Sequence, residues 1–260
     1  MAISLASIHA NTPKPPRIII HSEPGVGKTT LAANAPAPIF IQTEDGLGDL
    51  AVKAFPQSRS FTDVMEALAS LYMEEHPYKT VVVDSLDWLE PLIWDHVCQF
   101  WTDGKGKAER LSSIEDAGYG KGYVEALGYW RQFFSAITSL RDDRGMIIIM
   151  TAHTEIKRIE DPSLPAYDKK SLKLHKKAAA LAEEYSDMIL FASKKVNTIS
   201  EDSGFNKKRV RATSTGERVM QTTGEPSFTA KNRYNLPAVL PLEWSALASA
   251  LGLDGEKSAA

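Results

Sequence analysis

Cysteine is nearly absent from this 260-residue chain. The single one, Cys98, excludes an intrachain disulfide, so nothing in the sequence argues for secretion. Lying beside Val97 and Phe100, it reads as a small core residue rather than a nucleophile. An excess of positive charge is missing too. Thirty Lys and Arg stand against 33 Asp and Glu, for a net charge of −3 and a pI near 6.1. A basic footprint over the whole protein is thereby excluded, and any nucleic-acid surface has to be local. No apolar run approaches the ~20 residues that cross a bilayer. The segment Met1–Pro16 lacks the basic stretch and apolar core of a signal peptide. Internal repeats and low-complexity stretches are also lacking. These absences lead us to expect a soluble, cytoplasmic protein with no membrane partner.

What is present is a chain that is 43% hydrophobic, enough for one sizeable core. Pro13-Lys14-Pro15-Pro16 closes a flexible arm over 1–16. A single α/β domain is expected over 17–253, with a disordered tail over 254–260. Short β-branched runs predict strands at 17–21, 38–42, 80–84, 146–151 and 188–192. Helical spacing predicts helices at 28–34, 62–75, 86–101, 124–140 and 177–184. Alternation of strands and helices points to a mainly parallel sheet with helices on both faces. Residues 103–122 and 154–176 are polar, the first rich in glycine and the second holding Pro162 and Pro165. Both read as long loops, which in a compact domain are functional or disordered. A β-hairpin is expected within 207–230.

The strongest chemical signal is Ser22-Glu23-Pro24-Gly25-Val26-Gly27-Lys28-Thr29-Thr30, set between a strand and a helix. Gly25 and Gly27 let successive N–H groups curl toward phosphate oxygens, with the helix N-terminus behind them. Lys28 then reaches the β- and γ-phosphates and the Thr29 hydroxyl ligates Mg²⁺, which makes this a P-loop for ATP and Mg²⁺. Ser22 stands where the pattern has its first glycine. Asp84 ends the Val81-Val82-Val83 strand, where a carboxylate holds Mg²⁺ through water. Its alternative is a helix cap, a task open also to Ser85 and Asp87. Glu44, after strand 38–42, reaches the same sheet edge if that strand neighbours the P-loop strand. There it either polarises the attacking water or is a solvated turn carboxylate. His153, just past the fourth strand, either touches the γ-phosphate or is a satisfied core-edge histidine.

Two basic segments can meet a single nucleic-acid strand through phosphate contacts and base stacking. One holds Lys105, Lys107, Arg110, Tyr119, Lys121 and Tyr123. The other holds Lys157, Arg158, Lys169, Lys170, Lys173, Lys176 and Lys177. Composition alone favours the plainer reading, solvated basic loops.

This order of motifs, with Asp84-Ser85, Leu174-His175-Lys176-Lys177-Ala178-Ala179 and Ala230-Lys231-Asn232-Arg233-Tyr234-Asn235-Leu236-Pro237, resembles the RecA-like recombinase core. It looks most like the phage-type single-strand annealing proteins, a family of phage nucleotide-binding or AAA-type ATPases, over residues 17–245. The resemblance implies that Lys28, Glu44, Asp84 and His153 serve catalysis, Glu44 as the catalytic glutamate and His153 as the γ-phosphate sensor. It also implies that the two basic segments are DNA-binding loops, and that Lys231 and Arg233 reach the ATP of a neighbouring subunit, unless they belong to a surface hairpin. The partners implied are single-stranded DNA, further copies in a ring or filament, and a single-strand-binding protein. A phage-encoded chain would work in the bacterial host cytoplasm. The activity expected is ATP-dependent DNA annealing or strand pairing, with weak hydrolysis in the absence of DNA. Two alternatives stay open: an ATPase that loads or remodels a replication protein, as helicase loaders do, and a non-hydrolysing, nucleotide-gated DNA-binding module.

Overall fold

The computed structural model describes residue 8 and residues 12–102, 106–202 and 208–253. Lys105, most of the arm and the tail after Leu253 lie outside these. The elements run β1 (Arg17–Ser22), α1 (Lys28–Ala33), β2 (Pro38–Gln42), β3 (Lys53–Ala54), α2 (Phe61–Met73), β4 (Thr80–Asp84) and α3 (Leu86–Phe100). A 3-10 turn (Ile114–Ala117), α4 (Lys121–Arg144), β5 (Ile147–Ile159), β6 (Tyr167–Leu172), α5 (Lys176–Tyr185), β7 (Met188–Asp202) and β8 (Lys208–Gln221) follow. The chain closes with β9 (Lys231–Asn232), β10 (Val239–Pro241) and α6 (Trp244–Leu251).

One sheet organises everything, in the order β10-β8-β7-β1-β5-β4-β2-β3. From β7 to β3 every pairing is parallel, while β8 and β10 add an antiparallel edge. Parallel strands covered on both faces read as continuous apolar runs, which is why Ile18-Ile19-Ile20 and Val81-Val82-Val83 are all fully buried. Period-2 alternation divides these runs between two cores. Ile19, Val81, Val83, Ile148 and Met150 pack toward α2, α3 and α4. Ile18, Ile20, Val82 and Ile149 pack toward α1 and α6. The first core is the larger. Trp130, Phe133, Phe134 and Ile137 from α4 fill it, and truncating either Phe to alanine there costs about 3–5 kcal/mol. Ser60 and Asp63 form a reciprocal capping box that starts α2. Gly145, at φ 66°, ends α4.

Several expected boundaries change. The predicted loop 154–176 is mostly a β-hairpin, because β5 continues past residue 151 to Ile159 and pairs antiparallel with β6, Lys157 opposite Lys169. Alternation of charged and apolar residues had disguised strand as loop. His153 is therefore inside β5 rather than beyond it. The hairpin expected within 207–230 is instead β8 folded back on an extended β7. The loop 103–122 is interrupted by the 3-10 turn, and α4 begins at Lys121. Its anchor is Gly122, where an added Cβ would lie 2.3 Å from the Ile114 carbonyl oxygen. The helix α6 had no forecast. Cys98 is buried, as its neighbours suggested.

Candidate functional site

The C-terminal ends of β1 and β4 flank the middle of β5, and together they bring Ser22, Asp84 and His153 to one edge. After Ser22 the backbone turns through Gly25 at φ 73° and Gly27 at φ 118°, values that disfavour any residue with a Cβ. Ser22 is fully buried. Its hydroxyl donates to the Glu23 carbonyl oxygen at 2.7 Å and accepts from Lys28 Nζ at 3.3 Å. The departure from glycine thus supplies an acceptor that steadies the lysine. Burial lowers the pKa of the Lys28 ammonium, while Asp84, Asp87 and Glu44 oppose that shift.

Asp84 is held on both oxygens. Thr29 Oγ1 donates to Oδ2 at 2.9 Å, and Thr151 Oγ1, from the adjacent strand, donates to Oδ1. The Thr29–Asp84 pair offers a hydroxyl and a carboxylate, hard oxygen donors that suit Mg²⁺. Among the described residues no group of three His, Cys, Asp or Glu forms a metal cage. That combination fits an ion that keeps waters and takes its remaining ligands from phosphates. Thr151 was not anticipated as a site residue. Its signal was a lone hydroxyl closing the apolar run 147–150.

Glu44 reaches the site by a route other than the one expected. Strand β2 neighbours β4, with β5 and β4 between it and β1. Glu44 still arrives, because Ser85 Oγ donates to its Oε1 at 2.9 Å. Thr43 fixes Ser85 in turn, its Oγ1 donating to the Ser85 carbonyl and accepting from the Ser85 N–H, each at 2.7 Å. Burial pushes the Glu44 carboxyl above its ordinary pKa against the opposing Ser85 hydrogen bond. A carboxylate shifted in that direction is a better proton acceptor.

Neither Ser85 nor Asp87 caps α3 with its side chain. Asp87 instead grips His153, accepting from its backbone N–H at 2.9 Å and lying 2.8 Å from Nδ1. One further turn along α3, buried Glu90 accepts from the His175 N–H at 3.0 Å, and burial raises its pKa to about 7. Asp84, Asp87 and Glu90, spaced by three residues, therefore join the glycine loop, β5 and the start of α5. A cavity of about 340 Å³ lies between Lys28, Thr29, Glu44, Asp84 and His153, and Arg218 of β8 also lines it. Arg218 Nη1 donates to the Val26 carbonyl at 3.3 Å. Among the basic residues around β8, sequence alone did not single it out.

The other candidates divide by position. On the β5–β6 hairpin, Lys170 pairs with Glu23 of the glycine loop at 3.1 Å and Arg158 lies 4.0 Å from Asp168. Lys157 pairs with Glu155 and also donates to the Leu174 carbonyl. Lys169, Lys173, Lys176 and Lys177 carry no ion pair among the described residues. Lys107, Arg110 and Lys121 are exposed. Tyr119 is fully exposed at φ 50°. Tyr123 differs, because its ring stacks on His175 at 4.4 Å and so joins the two basic segments. Lys231 lies in β9 and Arg233 directly follows it, and β9 pairs with the start of β7 at the opposite edge of the sheet from the glycine loop. Lys231 Nζ caps the end of α5, donating to the Glu183 and Ser186 carbonyls. Arg233 pairs with Asp187 at 3.2 Å and remains half-exposed.

Comparison with known families agrees with this geometry. A family described as an AAA domain matches residues 14–234, and the chain belongs to that family. The mixed α/β architecture with its mostly parallel sheet is that of a P-loop NTPase. No curated protein matches the chain. Among the described residues no helix is long and apolar enough to cross a membrane.

Proposed function

We propose that this AAA-domain chain is an ATPase that binds single-stranded DNA in its nucleotide-bound state and promotes annealing or strand pairing, as phage-type recombination proteins do. The glycine loop and Lys28 hold the β- and γ-phosphates. Mg²⁺, held by Thr29 and, through water, by Asp84, would neutralise phosphate charge. Glu44 orients and deprotonates the attacking water, its ionisation tuned by burial and its position fixed by Ser85. His153, clamped by Asp87, faces the same cavity and senses the γ-phosphate.

The observation that carries the DNA reading is the joining of the basic hairpin to the nucleotide site. The strand that contributes His153 continues into the hairpin, and Lys170 of that hairpin binds Glu23 of the glycine loop. Phosphate bound at the loop alters the surroundings of both groups, so occupancy of the site biases the presentation of Lys157, Arg158 and Lys169. A ring or filament would let Arg233 act on a neighbour's nucleotide. A single-strand-binding protein is a natural companion on the same DNA.

ATP turnover measured with and without single-stranded DNA, alongside sizing with a slowly hydrolysed ATP analogue, tests this reading. We expect DNA to raise turnover at least tenfold, the analogue to drive assembly, and Lys28→Ala to abolish both ATP-dependent effects. Unchanged ATP-dependent DNA binding in Lys28→Ala would refute it. A second reading, an ATPase that loads or remodels a protein, draws support from the exposed apolar side chains of Trp88, next to Asp87 on α3, and Ile156 on the β5–β6 hairpin. Stimulation by a protein partner and not by DNA would favour it.

A further inference from the structure

Arg218 is the one cation lining the phosphate cavity to which the nucleotide reading gives no task. It comes from β8, and the fold fixes its backbone on two sides. Its carbonyl accepts from the Leu242 N–H, just past β10, at 3.0 Å. On the other side it stands opposite Lys194 of β7, where the register of that ladder shifts between Lys194 and Val196. Such irregularities re-aim side chains and recur beside active sites. The guanidinium ends on the glycine loop. Its Nη1 donates to the Val26 carbonyl oxygen at 3.3 Å, and a Cβ added at Gly27 would lie 2.8 Å from that nitrogen. Gly27 therefore serves the approach of Arg218 as well as the turn of the backbone. A second cleft of about 470 Å³ adjoins the phosphate cavity there, and Gly27, Thr30 and Arg218 line both spaces.

We propose that Arg218 is a catalytic residue, a cation that the chain supplies to its own nucleotide, so that the chemical step needs no neighbouring subunit. The inference rests on the ATPase reading above and adds the group that stabilises its transition state. In that step a water oxygen bonds to the terminal phosphorus while the bond from that phosphorus to the bridging oxygen breaks. The bridging oxygen keeps the electron pair, Glu44 takes the proton of the water, and ADP and inorganic phosphate result. Negative charge spreads over the transferred and leaving groups, and a fixed cation beside the loop stabilises it. Lys28 already faces three carboxylates, Asp84, Asp87 and Glu44. No carboxylate pairs with Arg218 among the described residues, and its contact with Val26 is the one side-chain hydrogen bond it makes there. A guanidinium carries five N–H donors in a planar fork, so most remain for phosphate oxygens. The two cations considered for action on a neighbour are placed differently. At the opposite edge of the sheet, Lys231 donates to the Glu183 and Ser186 carbonyls, and Arg233 binds Asp187 and the Glu184 carbonyl. Assembly that brings Arg233 to the site then enhances hydrolysis without being a condition for it.

The test compares the full-length wild type with Arg218→Ala, Arg218→Lys and Arg233→Ala in ATP turnover with Mg²⁺, beside calorimetric binding of ADP. Arg218→Ala should lower kcat by about 10²–10³-fold while ADP affinity changes by less than about threefold. Arg218→Lys keeps the charge and loses the fork, so it should recover only part of that loss. Guanidinium ion, added below the concentration that shifts the unfolding midpoint, should raise turnover in Arg218→Ala and not in the wild type, since the cleft beside Gly27 admits it. A residue that merely braced the loop through Val26 would not show this rescue. ADP with aluminium fluoride, which mimics the transferring phosphoryl group, should bind the wild type and Arg233→Ala more tightly than ADP alone. Arg218→Ala should lose that preference. Turnover should persist in wild type diluted until sizing shows single chains. Near-wild-type turnover in Arg218→Ala, a loss of ADP affinity equal to the loss of turnover, or an Arg218→Ala that resists rescue yet keeps its aluminium fluoride complex would overturn the assignment. So would turnover that vanishes both in Arg233→Ala and on dilution. Each of these leaves the nucleotide site standing. A wild type that neither binds ADP nor hydrolyses ATP would overturn the assignment together with the ATPase reading beneath it.

Discussion

The two edges of the parallel sheet carry charge in opposite ways. At the end where β1 and β7 begin, Asp187 is surrounded by cations. Arg17 binds it through its backbone N–H and its guanidinium at 3.0–3.1 Å, Arg141 approaches to 3.6 Å and Arg233 to 3.2 Å. Burial alone would raise the Asp187 carboxyl, but the Arg17 hydrogen bonds and the surrounding charge bring it below its ordinary pKa. At the other end, Lys28 is shifted down and Glu44 up, each toward its neutral form by desolvation. One edge is organised so that its charges stabilise the fold. The other holds charges at a cost, which fits groups that find their complement in a bound ligand or a transition state.

Variants that remove one charge from each edge would break this contrast. Glu44→Gln should lower ATP turnover by about 10²–10⁴-fold in steady-state assays while leaving the urea midpoint unchanged or slightly higher. Because the Glu44 pKa is raised, wild-type turnover should fall with decreasing pH at a value above that of an ordinary glutamate. Asp187→Ala should do the reverse. It strands the partly buried Arg17 and Arg141 and should cost about 3–5 kcal/mol in urea unfolding, with nucleotide binding by the folded fraction retained.

A smaller effect comes from two buried groups outside both edges. Folded Glu90 keeps its proton to about pH 7, against an ordinary value of 4.5, so stability falls as pH rises across that interval. Folded His21 titrates near 4 rather than 6.5. Its Nε2–H donates to the Thr229 carbonyl at 2.7 Å, and Nδ1 accepts from the Thr154 hydroxyl at 2.9 Å. Its stability contribution is lost as pH falls from 6.5 to 4. Each shift corresponds to about 3 kcal/mol, and between pH 4.5 and 6.5 they oppose each other. Urea unfolding of Glu90→Gln should therefore reveal a rise in stability from pH 4.5 to 6.5 that the wild type conceals. The smallest change is at a helix start remote from both edges, where Ser60→Ala should cost about 1 kcal/mol by removing the acceptor for the Asp63 N–H.

Some of this could be read directly from the chain. The Gly25-Val26-Gly27-Lys28-Thr29 loop announces itself because phosphate binding depends on local backbone geometry, and the strand and helix around it are local too. Asp84 was readable because a carboxylate closing a fully apolar strand has few other destinations. The hairpin of β5 and β6 was not, since two polar alternating segments become strands only by pairing with each other. Thr151, Asp87 and Arg218 stayed hidden for a related reason. Each acts on a residue at least 66 positions away, and no sequence spacing encodes such a meeting.

By itself, then, the sequence determined a P-loop, the carboxylate of Asp84 that ends an apolar strand beside it, and the parallel sheet that carries both. These follow from nearest-neighbour chemistry and periodicity. Tertiary structure alone decided that Ser85 delivers Glu44 from a strand not adjacent to β1, that Asp87 fixes His153, and that Arg218 lies on the loop between two joined cavities. These outcomes depend on strand order, and strand order is settled by how the two cores pack rather than by any short stretch of residues.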